Sequence, residues 1–236
     1  MGRAKELVFN TIIIGVGKFS TQIVSFLLLP LYTSLLTTEE YGIYDLIVTI
    51  STLLIPLITL LMEESMFRFL IDCKDDKSKK KVISQSIIYS CFGILLFSII
   101  YVFITILFNF KFKWLTYAYI LIHVVIALRN ALARGLSKIK LFSIANFVTS
   151  ALTIILNILF IVYLKLGIVG LLYSNIISGI ITSVFVFIKL RILNYISFKE
   201  FDRILLNEMI KYSIPLVPNS LSWTIINLSD RIVISS

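Results

Sequence analysis

Histidine and cysteine are nearly missing from these 236 residues, which hold one histidine, His123, and two cysteines, Cys73 and Cys91. One cysteine lies in a charged loop and the other in an apolar run, so they make no disulfide framework and read as free thiols. His123 has no cysteine or carboxylate at ligand spacing, and a structural histidine is expected there. Asp72, Asp75 and Asp76 are interleaved with lysines, the pattern of a solvated loop. No spacing supports a zinc site, a glycine-rich phosphate loop or a nucleophile–base pair. No metal, no cofactor and no enzyme active site are therefore expected. A secretory signal is also lacking: the first apolar run is too long and has no small-x-small cleavage site, so it should remain as a helix.

What the chain has is apolar length. It is 58% hydrophobic, with a mean hydropathy of +0.99, more apolar surface than a soluble core could hide. Runs of about 20 apolar residues, enough to span a bilayer as a helix, recur along it. The expected fold is all-α, a polytopic transmembrane helical bundle. Spans are expected near 8–32, 41–68, 82–108, 114–132, 141–164 and 168–188, and a seventh apolar run begins near Ile214. Trp114, Tyr117 and Tyr119 read as interface anchors. The charged stretch from Lys189 to Ser213 reads as an amphipathic connector at the membrane surface. Because the last run is still apolar at Ser236, the natural chain is expected to continue for several more spans.

The net charge of +9 is a topology signal. Seventeen Lys and Arg fall on the N-terminal tail and the second, fourth and sixth connections, Arg129, Arg134, Lys138 and Lys140 among them. Lys111, Lys113 and Lys165 are the three on the other side. The positive-inside rule then places the N-terminus in the cytoplasm and the protein in the cell membrane. No soluble scaffold carries a basic face, so nucleic acid is excluded as a partner.

The spans carry polar seams. In the second, Asp45, Thr49, Thr52, Pro56, Thr59 and Glu63 alternate at spacings of four and three, one face of a helix. Glu64 and Arg68, one turn apart, are placed to pair. The first span carries Thr11, Gly15, Lys18, Gln22 and Ser25. The fifth carries Asn146, Ser150, Thr153 and Asn157, and the sixth Asn175, Ser178 and Thr182. The seventh carries Ser220, Thr224, Asn227, Arg231 and Ser235. Such residues serve either as glue between helices or as the lining of a hydrated cavity. The charges of Lys18, Asp45, Glu63 and Arg231 shift the weight to a cavity. Lys18 and Arg231 would present cations to an anionic head group, unless Asp230 or Glu63 neutralises one of them. Asp45 near its helix start also suits the helix dipole.

Two blocks resemble a known family. GKFSTQIVSFLLLPLYTSLLTTEEYGIYDL continuing to EESMFRFL (17–70), and YSIPLVPNSLSWTIINLSDRIVISS (212–236), resemble bacterial polysaccharide biosynthesis proteins of the oligosaccharide flippase family. That family belongs to the multidrug/oligosaccharidyl-lipid/polysaccharide exporter superfamily. The resemblance implies two six-helix lobes facing each other across a cavity. This chain would be the first lobe with its connector (1–208) plus the first helix of the second (209–236). It implies that an undecaprenyl-diphosphate-linked oligosaccharide is flipped to the outer leaflet, with membrane lipids and polysaccharide assembly proteins as further partners. Charged positions of its blocks match Lys18, Glu63, Arg68, Asp230 and Arg231. The candidate substrate-binding residues are thus Lys18, Arg68, Asn227 and Arg231, and the candidate coupling or cavity carboxylates Asp45, Glu63 and Asp230. Other readings remain: an exporter of drugs or of the peptidoglycan precursor, a polyprenyl-dependent membrane glycosyltransferase or polymerase, or a scaffold offering basic loops to anionic lipids.

Overall fold

The computed structural model describes residues 35–108, 110–197 and 201–235, with side chains through Ile226, and Gly15 alone of the N-terminal run. The first expected span, with Lys18, lies outside the described residues, as do the side chains of Asn227, Asp230 and Arg231. Every element among the described residues is helical.

Helix α1 (Thr38–Thr59) opens on a capping box. The Thr37 hydroxyl accepts the Glu40 N–H at 3.2 Å, and the Glu40 carboxylate accepts the Thr37 N–H at 3.1 Å, so two donors of the open helix end find partners. Near its other end Pro56 has no N–H to give the preceding turn. One turn later Leu60 and Leu61 both adopt left-handed conformations, with φ of 47° and 55°. The chain restarts as α2 (Met62–Asp72). The span expected to run unbroken over 41–68 is therefore two helices. Thr59 steadies the break, its hydroxyl accepting the Leu61 N–H at 3.2 Å.

Helix α3 (Asp76–Leu107) has 32 residues, about 48 Å at the α-helical rise, so it outruns the hydrocarbon layer. Its extra turns hold Lys77, Lys79, Lys80 and Lys81. Asp75 caps it by accepting the Ser78 N–H at 2.9 Å and the Ser78 hydroxyl at 2.7 Å. Asp72 pairs with Arg68 one turn before it. These loop carboxylates are helix-end groups, and no metal-type cluster occurs among the described residues. Next come α4 (Lys113–Gly135), α5 (Ile139–Asn157), which runs on as a π-helical stretch (Ile158–Tyr163), and α6 (Gly167–Leu190). A 3-10 turn (Ile192–Asn194) follows α6, and further on come α7 (Arg203–Ser213) and α8 (Leu216–Ser235). Five of the described helices, α1, α3, α4, α5 with its π extension, and α6, are long and apolar enough to cross a membrane.

The lysine-rich loops gather at one end, here the basic end. Its core joins Met62 and Met66 of α2, Ile83 of α3, Leu132 of α4 and Met209 of α7. Three contacts hold the connector down. The Ser65 hydroxyl donates to the Met209 carbonyl at 3.0 Å, Ser84 binds the Tyr195 carbonyl at 3.1 Å, and Lys81 pairs with Asp202 at 3.1 Å.

A second core, at the opposite end, holds Ile47, Tyr119, Ile122 and Leu172. Tyr119 is buried there and stacks on His123, ring centroids 4.1 Å apart. The His123 Nδ1 lies 2.8 Å from the Tyr119 carbonyl, so His123 is a structural histidine as expected. Tyr117 is half-buried and shares a 2.7 Å hydrogen bond with Ser98. Of the three expected anchors, Trp114 alone stays exposed. Phenol groups here found partners inside the bundle.

Two glycines mark close approaches. A side chain at Gly93 of α3 would collide with the Ile58 carbonyl oxygen of α1. Gly167 starts α6 at φ +56°, and a side chain there would collide with the Glu40 carboxylate.

Candidate functional site

The largest connected polar feature among the described residues runs between α4, α5 and α6. Arg129 sits on the inner face of α4 with no exposed surface. Its Nη1 donates to the Thr182 hydroxyl of α6 at 2.7 Å, and its Nη2 to Asn146 Oδ1 of α5 at 3.3 Å. Nε and Nη2 also reach Asn130 Oδ1, each at 3.3 Å. Thr149 of α5 donates to the same Thr182 oxygen at 2.9 Å, and one turn on Thr153 and Ser178 share a hydrogen bond of 2.7 Å. Nearer the opposite end Asn175 reaches the Tyr44 hydroxyl of α1 at 3.3 Å. The row crosses the membrane-spanning part of the bundle.

The spacing of these residues explains the row. Asn146, Thr149 and Thr153 recur every three or four residues on α5, as Asn175, Ser178 and Thr182 do on α6, so two polar stripes face each other. Small hydroxyls let the helices approach closely and donate to one another across the interface. Arg129 makes no ion pair among the described residues. A guanidinium keeps its charge in a protein, so the amide and hydroxyl oxygens around it carry the whole solvation of that charge. Asn157 is buried at the far end of α5.

A second cluster lies at the break between α1 and α2. Glu63 is only 5% exposed, and its Oε2 has no hydrogen-bond partner. Its neighbour Glu64 pairs across to Arg134 of α4 at 3.1 Å, and the Arg134 guanidinium lies 4.7 Å from the Phe67 ring centroid. The expected Glu64–Arg68 pair is thus replaced by two others, Glu64 with Arg134 of α4 and the exposed Arg68 with Asp72 one turn on.

Among the other sequence candidates, Asp45 is half-buried on α1, Arg68 lies on the outer surface of α2, and Thr52 is exposed with its hydroxyl bonded to the Val48 carbonyl at 2.6 Å. The fifth- and sixth-span seams do meet each other. Sequence reasoning counted Arg129 among the loop residues. Its signal was position: it lies six residues before Gly135 ends α4, deep enough to face inward.

A helical bundle of this kind, with polar residues sharing its interior, is a multi-pass membrane protein with the fold of MATE transporters. The chain is similar to the crystal structure of MATE in complex with MaD3S, at a TM-score of 0.74 and 21% identity over 92% of this chain and 54% of that one. It is similar to a multidrug resistance MATE family transporter of the MOP superfamily in an outward-facing conformation, at 0.74 and 22% over 92% and 53%. An inward-facing form of such a transporter matches at 0.55 and 23% over 75% and 44%. The chain spans about half the length of these solved structures. No curated protein matches its sequence significantly. A family profile described as polysaccharide biosynthesis protein matches residues 7–236. The chain belongs to that family.

Proposed function

We propose that this protein is a carrier, not an enzyme, and that it moves a lipid-linked oligosaccharide from the cytoplasmic to the outer leaflet of the cell membrane for polysaccharide assembly. The observation that carries this reading is the buried Arg129, held among the described residues by hydroxyl and amide groups without a carboxylate. A sugar chain on a diphosphate cannot cross hydrocarbon unaided, since its charges and hydroxyls would lose their partners. A row of hydroxyls and amides ending in a fixed cation suits such a substrate, whereas a carrier of cationic drugs calls for carboxylates. The polyprenyl tail stays in the lipid. Lys18, Asn227 and Arg231 would extend the polar lining, and Asp45, Glu63 and Asp230 would supply carboxylates for coupling. Rocking of one lobe against another would expose the lining to each side in turn. The basic end is cytoplasmic in this picture, with the N-terminus.

The test is complementation. A host lacking its own oligosaccharide flippase, but carrying the matching sugar-assembly genes, receives the gene together with any sequence that continues the chain. Restored surface polysaccharide supports the reading. Protein present in the membrane with no polysaccharide, but with raised resistance to cationic drugs, would replace it with drug export, the reading that the buried Glu63 carboxylate favours.

A further inference from the structure

At the basic end a polar cavity of about 450 Å³ opens between the end of α2, the start of α3, the α4–α5 turn and the end of α6. Three lysines from three segments line it, Lys79, Lys138 and Lys189, together with Ser137 and Tyr195, and no carboxylate does. Lys79 is paired with the exposed Asp76 at 3.1 Å. Lys138 and Lys189 are exposed and make no ion pair among the described residues.

The bland account is that lysines here offset the negative ends of α2, α4 and α6. Backbone donors reach some of those carbonyls: the Cys73 N–H goes to the Leu70 carbonyl at 3.2 Å, Ser137 to Arg134 at 2.9 Å, Lys138 to Ala133 at 2.8 Å, and Arg191 to Ile188 at 3.1 Å, while neither the Lys138 nor the Lys189 ammonium bonds a helix-end carbonyl among the described residues. Two ammonium groups are therefore left over around a space large enough for a phosphate and its substituents. Exposed Ile71, with 57% of its surface free, lines that space together with Leu70, Leu136 and Leu190, and exposed Ile188 and Leu193 are close in sequence to Lys189 and Leu190. A phosphate-binding hollow bordered by free apolar side chains fits an amphiphile better than a free ion.

We propose that this cavity is a binding site for the phosphate of an anionic phospholipid in the leaflet at the basic end, with Lys138 and Lys189 as its ligands and Lys79 as a third cation. The site is separate from the polar row between α4, α5 and α6 and does not depend on what the protein carries.

The experiment is native mass spectrometry of the purified chain with phosphatidylglycerol and phosphatidylcholine of equal acyl chains. Phosphatidylglycerol should be retained in preference. The double variant K138Q/K189Q should weaken that retention about fivefold per lysine, the usual effect of one basic side chain near an anionic surface. K138R/K189R should keep it, which guards against a mere folding defect. K77Q/K140Q, which alters two lysines of the same end outside the cavity, should leave it unchanged. Equal loss in the two glutamine pairs, or equal retention of both lipids, would overturn the proposal in favour of a diffuse basic surface. Full displacement of phosphatidylglycerol by millimolar inorganic phosphate would overturn the lipid in favour of a free anion.

Discussion

Arg129 of α4 and Thr182 of α6 are joined by a 2.7 Å hydrogen bond inside the bundle, and Thr149 of α5 completes the junction from the third side. Three helices thus meet on one hydroxyl oxygen. Removing the guanidinium in R129A takes one donor from the buried Thr182 oxygen, which keeps Thr149, and the donors of the half-buried Asn146 and Asn130 oxygens, at a cost of about 1.5–3 kcal/mol for lost hydrogen bonds to a charged group. R129K keeps the charge but loses the planar fork. Thermal melting in detergent should fall for R129A and less for R129K, and polysaccharide export should fall for both by more than the melting shift explains. Full export by R129A would remove Arg129 from the substrate pathway.

Gly93 lies against the Ile58 carbonyl just before the α1–α2 break. G93A has no flexible neighbour to push aside, because the obstacle is backbone. Overpacking of this kind costs about 1–3 kcal/mol. The melting temperature should drop, whereas G42A, inside α1 at a position with open space, should raise it slightly, since Ala favours a helix over Gly by about 0.5–1 kcal/mol.

At the opposite end, Glu40 both closes the cap of α1 and lies against Gly167. T37A removes the cap acceptor and should cost about 1 kcal/mol. G167A should cost more, since its left-handed φ and the nearby carboxylate both oppose a side chain. Chemical denaturation of the two variants side by side gives the order.

Asp202 caps α7, and its carboxyl is held below the usual carboxylate range by the Leu205 N–H and then by Lys81. A carboxyl lowered in the folded state adds stability that is complete above its unfolded value, near pH 4. That stability is lost as pH falls through the lower folded value. Protection factors for hydrogen exchange across 203–213, taken relative to the intrinsic rate at each pH, should therefore fall as the pH is brought down through that range. D202N, whose amide oxygen can still cap α7 but which loses the ion pair with Lys81, should show lower protection already at pH 7 and no further acid step.

The bundle was legible because apolar length and polar periodicity are one-dimensional signals. The facing stripes of α5 and α6 were legible in part: Thr153 meets Ser178, whereas Thr182 is met by Thr149, and Ser150 of the expected seam turns back on the Asn146 carbonyl. The break at Leu60 and Leu61 was not legible, since neither leucine carries any local preference for left-handed backbone. Pro56, one turn before, lacks the N–H of a regular helix residue, while Gly93 against the Ile58 carbonyl and Glu64 paired with Arg134 flank the break in the fold. Arg129 was hidden for a related reason. Near a helix end, charge alone does not tell a loop cation from one facing inward, and only the partners on α5 and α6 decide it.

The Ser65 hydroxyl and the Met209 carbonyl meet although they lie 144 residues apart in sequence. Chains are made from the N-terminus at a limited pace, so α2 is synthesised and inserted long before the residue that covers it exists. Until Met209 emerges, Met62 and Met66 have an open flank, and the basic end of the bundle stays unfinished through the birth of every helix between. A stalled or early-terminated nascent chain would expose that flank, marking it for quality control in the membrane.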